Sequence, residues 1–401
     1  MTGRVSQIRL ADRIGRVAES LTLAVTARAL ELKRQGIDVV GFGAGEPDFP
    51  TPAHVIEAAT QFLAKGQVKY TASSGTPELK SAILHRLSED HDLTYDAGNV
   101  LVSCGGKHAL YLALQALCQK GDEVVIIAPY WVSYPEMVRL ADAEPVIVST
   151  SPAQDFTPDL SDIEAAITDS TRVIILNSPG NPTGAVYDRA TLEGIARLAE
   201  KHDLVVFSDE IYEKLVYGDT EHVCFPTLPD MKDRTILFQG VSKAYSMTGW
   251  RIGWSVGPKD IISAMSKLQG QMTSNPASPS QVAAVAALTG PQEVVGTMRE
   301  EFDARRRLIV DGLRALPGVT CPEPRGAFYV LPDVSGLYGQ NLGGHEINGS
   351  LSFSAACLET ANVALVAGVA FGDDRCVRLS YAVSREAIQK GLDRLRKLIE
   401  G

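Results

Sequence analysis

The sequence predicts an α/β protein, with a large domain on a mostly parallel central sheet joined to a smaller α+β domain. Three observations point there. Between residues 100 and 256, short apolar runs alternate with helical stretches, as in a parallel sheet covered by helices. Beyond residue 290 that alternation gives way to a charged helix followed by mixed elements. Residues capable of chemistry stand directly after the apolar runs, and ligands of open α/β sheets bind beyond the carboxyl ends of the strands.

In chain order, residues 1–20 read as a polar, basic arm. LTLAVTARALELKRQG (21–36) predicts a helix closed by Gly36, and IDVVGFGAG a short strand entering a glycine-rich bend. Strands are expected at VLVSC (100–104), EVVIIAP (123–129), PVIVST (145–150), RVIILN (172–177), DLVVFSD (203–209), TILFQG (235–240) and RIGWSVG (251–257). Helices such as HALYLALQALCQ (108–119) and DRATLEGIARLAEKH (188–202) lie between them. Next come a helix over 297–316, GAFYVLPDV (326–334), a helix near 350–361 and the apolar run VALVAGVAF (363–371). The strand CVRLSYA (376–382) and a closing helix over 384–399 end the chain. The expected division is an arm (1–20), a large domain (49–290) and a discontinuous small domain (21–48 with 291–401).

A chain of 401 residues is long enough for two cores. With 45 % hydrophobic and 21 % charged residues it has a globular rather than a disordered balance. A formal charge of −10 argues against a nucleic-acid partner. The six cysteines form no CxxC pair, which predicts reduced thiols and no zinc site, and the histidines show no paired ligand spacing. The arm has four arginines and no apolar core, and no run reaches membrane length. A cytoplasmic protein without a membrane partner is expected.

The stretch SKAYSMTGWRIG (242–253) carries the sharpest chemistry. Lys243 follows the run TILFQG, beside Ser242, and Arg251 comes eight positions later. A desolvated lysine has a lowered pKa and forms Schiff bases with aldehydes, and a guanidinium holds phosphate. Pyridoxal 5'-phosphate (PLP) presents both groups. Asp209 closes DLVVFSD and is placed to pair with a pyridinium nitrogen, with Tyr212 three positions on and able to donate to a ring oxygen. Asn181, in the loop SPGNPTGAVY (178–187), is a second donor for that oxygen. Gly105, Gly106 and Lys107 open a helix whose N–H groups suit a phosphate. Trp131, just beyond the next strand, suits stacking on a planar ring. Arg378 lies in an apolar strand, which requires an anion: a substrate carboxylate or a structural ion pair. The segment GFGAGEPDFPTP (41–52) fails as a dinucleotide fingerprint, because Glu46 replaces the third glycine and its prolines forbid the helix. It reads instead as a loop bringing the Gly45 backbone near a ligand. Plainer roles stay open for each residue: a surface lysine, a strand-end turn aspartate, a surface loop, packed aromatics.

Nine segments in order, GEPDFPTP, KYTASSGTPELK, GGKHAL, PYWVSYPEM, NSPGNPTGAVY, SDEIYEKLVY, SKAYSMTGWRIG, GAFYVL and VRLSYA, resemble the class I aminotransferases, the aspartate aminotransferase family of PLP enzymes. The resemblance implies the PLP-dependent transferase fold and ping-pong transfer of an amino group to a 2-oxo acid. It implies Lys243 as the Schiff-base and proton-shuttling residue, Asp209 at the ring nitrogen, and Tyr212 and Asn181 at the ring oxygen, with Trp131 stacked on the ring. Ser242, Arg251, Gly105 and Gly106 would hold the phosphate, joined across a homodimer by Tyr70 of the neighbouring subunit. Arg378 and Gly45 would bind the α-carboxylate. One branch of the family reads a distal carboxylate with residues matching Lys107, Ser20 and Thr22, which implies aspartate with 2-oxoglutarate. Prephenate, aromatic or alanine specificity, a PLP lyase and a non-enzymatic PLP-binding regulator are the alternatives.

Overall fold

The computed structural model describes residues 9–19 and 21–401. In chain order the helices are α1 (Leu21–Arg34), α2 (Ala53–Ala64), α3 (Pro77–His91), α4 (Gly106–Leu117), α5 (Ser133–Leu140), α6 (Leu160–Ala165), α7 (Arg189–Lys201), α8 (Lys259–Met272), α9 (Ser278–Thr289), α10 (Glu293–Arg314), α11 (Ser350–Glu359) and α12 (Arg385–Glu400). The strands are β1 (Val40–Gly41), β2 (Val100–Ser103), β3 (Glu123–Ala128), β4 (Glu144–Ser149), β5 (Thr171–Asn177), β6 (Val205–Asp209), β7 (Thr235–Gly240), β8 (Gly253–Val256), β9 (Tyr329–Val330), β10 (Asn341–Leu342), β11 (His345–Glu346), β12 (Val363–Ala364), β13 (Val366–Ala367) and β14 (Val377–Ser380).

Seven strands form the central sheet in the order β2-β8-β7-β6-β5-β3-β4. Every pairing is parallel except those of β8, which is antiparallel to both β2 and β7. Six strands therefore run one way and end at the same edge. Because β8 runs the other way, it starts at that edge. Side chains alternate between the faces, as a period of two requires. Val124, Ile126, Val173, Ile175 and Phe207 pack with α4, α5 and α8, while Val125, Ile127, Ile174, Leu176 and Val206 pack with α7. Both faces are thus dry, which explains why these strands read as unbroken apolar runs.

A second core gathers Phe42, Phe302, Phe328, Tyr329, Phe353, Tyr381 and Leu392. Its sheet is antiparallel, in the order β13-β14-β9, and beside it β1 pairs in parallel with β12. Residues 40–42 therefore pack with elements more than 280 positions away. α1 ends where Gly36 adopts φ +84°, the left-handed conformation expected of a closing glycine. The described part of the arm forms a short 3-10 helix, Asp12–Arg16. Arg16 pairs with Asp142, and the Ala18 N–H donates to Glu136 on α5.

Some expectations need correction. Arg251 is not in a strand: it sits in the turn before β8 with φ +56°, and pairing begins at Gly253. Of GAFYVLPDV only Tyr329–Val330 pairs as strand, and VALVAGVAF breaks into β12, β13 and a 3-10 turn. Apolar runs mark burial, and most of the rest of these runs is buried, Val369 being exposed, while Gly326 and Asp333 make only isolated bridges. All six cysteines are free thiols. Among the described residues no helix is long and apolar enough to cross a membrane.

Candidate active site

The strand order lays the predicted residues side by side along one edge of the sheet. Gly105 and Gly106 follow β2, Arg251 precedes β8, and Ser242 and Lys243 follow β7. Asp209 ends β6, Asn181 follows β5 and Trp131 follows β3. All of these but Gly105 line a cleft of about 470 Å³, together with Thr22, Gly45, Lys107, Tyr134, Tyr212, Tyr329 and Arg378. That volume suits a small ligand. The reversed strand β8 is what brings Arg251 to the edge where the other strands end.

Lys243 donates to the Gly45 carbonyl, and among the described residues no carboxylate pairs with it. Burial, reinforced by the charge of Arg378, lowers its pKa to about 8. Asp209 is buried at the floor of the cleft. The Tyr134 hydroxyl donates to its Oδ2 at 2.5 Å and the Ile211 N–H to its Oδ1 at 3.3 Å. Burial outweighs these bonds and raises its pKa to about 6. Tyr212 and Tyr329 share a hydrogen bond of 2.9 Å between their hydroxyls, and burial pushes both phenols up.

Arg378 is 3 % exposed. It donates to Asn181 Oδ1 at 3.1 Å and to the Gly43 carbonyl at 2.8 Å, and its Nε lacks a partner. Its guanidinium stacks over Tyr329 (4.7 Å) and Phe371 (4.9 Å). Among the described residues no carboxylate pairs with it, so the structural ion pair is not what holds it. A buried guanidinium with an unpaired N–H calls for an external anion.

Gly105 has φ +89°, and a Cβ there would lie 2.5 Å from Arg251 Nη2. A Cβ on Gly253 would lie 2.4 Å from the Gly106 nitrogen. The start of α4 thus rests on bare backbone, with its N–H groups and the Arg251 guanidinium converging, an arrangement suited to phosphate. Lys107 approaches the Trp131 ring at 4.9 Å. The loop at 45–51 is tied to the 243–251 turn by Thr248 to Glu46 (2.9 Å), Thr51 to the Ser246 carbonyl (3.0 Å) and Trp250 to Thr51 (3.0 Å).

Tyr70 is not in the cleft: it stands 91 % exposed on the surface of the chain. Ser20 lies outside the described residues. Sequence reasoning missed Tyr134, Tyr329 and Asn177. Asn177 donates to the Asp209 carbonyl (2.9 Å) while its Oδ1 accepts from the Asn181 N–H (2.8 Å). Its place as the last residue of β5 was the available signal.

Residues 37–395 match the family model for aminotransferases of class I and II. The chain is 47 % identical to a bifunctional aspartate aminotransferase and glutamate/aspartate-prephenate aminotransferase of Petunia hybrida, over 98 % of this chain and 83 % of that one. It is 45 % identical to an aspartate aminotransferase of Geobacillus stearothermophilus, over 98 % and 99 %. Among solved structures, the aspartate aminotransferase of Thermus thermophilus with maleate superposes with a TM-score of 0.92 at 42 % identity, covering 98 % of this chain and 100 % of that one. The chain belongs to the class I aminotransferases, in the aspartate aminotransferase family. It is a transaminase, and its fold is the PLP-dependent transferase fold.

Proposed function

We propose that this transaminase moves the amino group of aspartate to 2-oxoglutarate with PLP, by a ping-pong mechanism. One observation carries the reading: an amine with a lowered pKa, a buried carboxylate and an arginine with no ion pair share one cleft. The glycine cradle against Arg251 fits a phosphate, and the amine fits an aldehyde. When bound, the cofactor supplies the aldehyde that receives the amino group and a ring that accepts the electron pair of the broken Cα–H bond.

The chain's own residues have separable tasks. Lys243 Nζ would hold the cofactor and, once displaced by the incoming amine, take the α-proton and return it. Asp209 would face the ring nitrogen and keep it protonated. Tyr212 and Asn181 would donate to the ring oxygen, and Trp131 would cover the ring face. Ser242, Arg251 and the backbone of Gly105 and Gly106 would bind the phosphate, completed by Tyr70 of a second copy in a homodimer. Arg378 and Gly45 would seat the α-carboxylate. Lys107 with Thr22 and Ser20 would seat the distal one. A single ammonium is a looser reader than a bidentate arginine, and the name of the Petunia relative includes prephenate, so prephenate is a second acceptor to test.

The same reading treats residues 21–48 with 291–401 as one unit and 49–290 as the other. The aromatic core around Phe302 and Phe328, built mainly from the first unit and joined by Tyr212, Leu215 and Tyr217, supports this. The test of function is a half-reaction: the PLP-loaded protein is mixed with single amino acids while the visible spectrum is followed. Aspartate and glutamate should convert the cofactor to its amine form. Conversion by neither, with another amino acid active, would replace the assignment.

A further inference from the structure

Among the described residues Asp209 is the buried carboxylate lining the cleft, and its surroundings divide into groups that place it and groups that charge it. Asn177 pins the end of its strand through the backbone carbonyl. The side chain is left to Tyr134 and to the Ile211 N–H. Tyr134 comes from α5, far from β6 in sequence. Its ring is fixed edge-on against Trp131 at 5.3 Å and 88°. The other groups facing Asp209 are Lys243 from the turn after β7, and Glu210 and Tyr212 from its own turn.

We propose that Tyr134 is a positioning residue for the transamination, its hydroxyl holding Asp209 Oδ2 and biasing that carboxylate toward its charged form opposite the ring nitrogen. The proposal rests on the role given to Asp209 above. A donor to a carboxylate favours the ionised state, whereas burial favours the neutral one. Burial already dominates, raising Asp209 to about 6. Of the two direct donors the phenol is the shorter contact, so its loss leaves burial nearly unopposed. Tyr134 can only donate here, because burial and the neighbouring Asp209 push its own pKa well above the ordinary phenol value. A neutral Asp209 would not hold a proton on the ring.

The test uses Tyr134→Phe, which keeps the ring contact with Trp131 and deletes one hydroxyl. A second protein carries 3-fluorotyrosine at position 134, a more acidic donor in the same place. Asp209 is titrated in the cofactor-free proteins by its infrared carboxyl band, assigned by its absence in Asp209→Asn. The phenylalanine variant should titrate about one pH unit or more above the parent, and the fluorotyrosine protein below it. In the loaded enzyme the acid limb of kcat/KM should move up by the same amount, with kcat falling more than KM rises. Unchanged midpoints in both proteins would overturn the inference. Near-native turnover by Asp209→Asn would overturn the underlying role of Asp209 instead.

Discussion

At the scale of single residues, the reactivity of Lys243 follows from where its strand ends. Its amine is kept from water and lies near Arg378, and both effects disfavour the ammonium, lowering its pKa to about 8. The neutral amine is the nucleophile, so covalent capture of PLP by the cofactor-free protein should accelerate with pH, half-maximal near pH 8. Stopped-flow absorbance checks this, and a midpoint near the ordinary lysine value would refute it. The linkage has a definite sign. Between about pH 8 and 10.5 the unfolded chain binds this proton and the folded chain does not, so this residue makes stability rise with pH there. Denaturant titrations of the cofactor-free protein should show that rise, and Lys243→Ala should flatten it. Replacing Asp209 by Ala should leave PLP bound and lower kcat by at least about a hundred-fold, the scale of losing one charge-stabilising group in a dry site. Steady-state kinetics on the loaded variant measure this. The placement of Lys243, Asp209 and Asn181 at one edge of the sheet was legible in the sequence because each stands at the end of an apolar run or within a few residues after one. Tyr134, Tyr329 and Asn177 were not, because their partners come from other elements and no local pattern records such a contact.

At the scale of elements, the site depends on backbone that can approach backbone. Gly105 is left-handed and leaves no room for a Cβ beside Arg251, so Gly105→Ala should displace the guanidinium and disturb the start of α4. Cofactor affinity should fall more than about ten-fold, from backbone strain and a lost phosphate contact of about 1.5 kcal/mol or more. Fluorescence titration with PLP reads the loss, while far-UV circular dichroism should be unchanged. Arg378 is aimed by β14, with β9 beside it carrying Tyr329. Its fork is held by Asn181 and Gly43, so Arg378→Lys should not rescue, and kcat/KM for aspartate should drop by about a hundred-fold for want of a bidentate contact. The alternation of runs and helices showed the parallel strands. The reversal of β8 could not be read, because a buried strand has the same composition in either direction. That reversal carries Arg251 to the reactive edge.

At the scale of the whole molecule, α10 joins the two cores: Val295 packs beside α2 and α9, and Phe302 packs in the aromatic core. Arg305 on the same helix binds Asp48 at 2.7 Å, fastening the loop that carries Gly45. Phe302→Ala should cost about 3–5 kcal/mol in denaturant unfolding. The proposed homodimer makes a sharper demand. If Tyr70 serves the neighbouring site, mixed dimers of Lys243→Ala and Tyr70→Ala contain one site with both groups intact. Activity should then return when the two inactive proteins are unfolded and refolded together. The change of texture after residue 290 was legible in the sequence, but the partner of β1 was not, since β12 lies more than 300 positions away. The most direct test remains chemical. The loaded protein is reduced with borohydride, digested and mapped by mass spectrometry. One reduced cofactor adduct is expected, on the peptide containing Lys243, and none in Lys243→Ala. A reduced protein with no adduct on that side chain would contradict the assignment of this cleft.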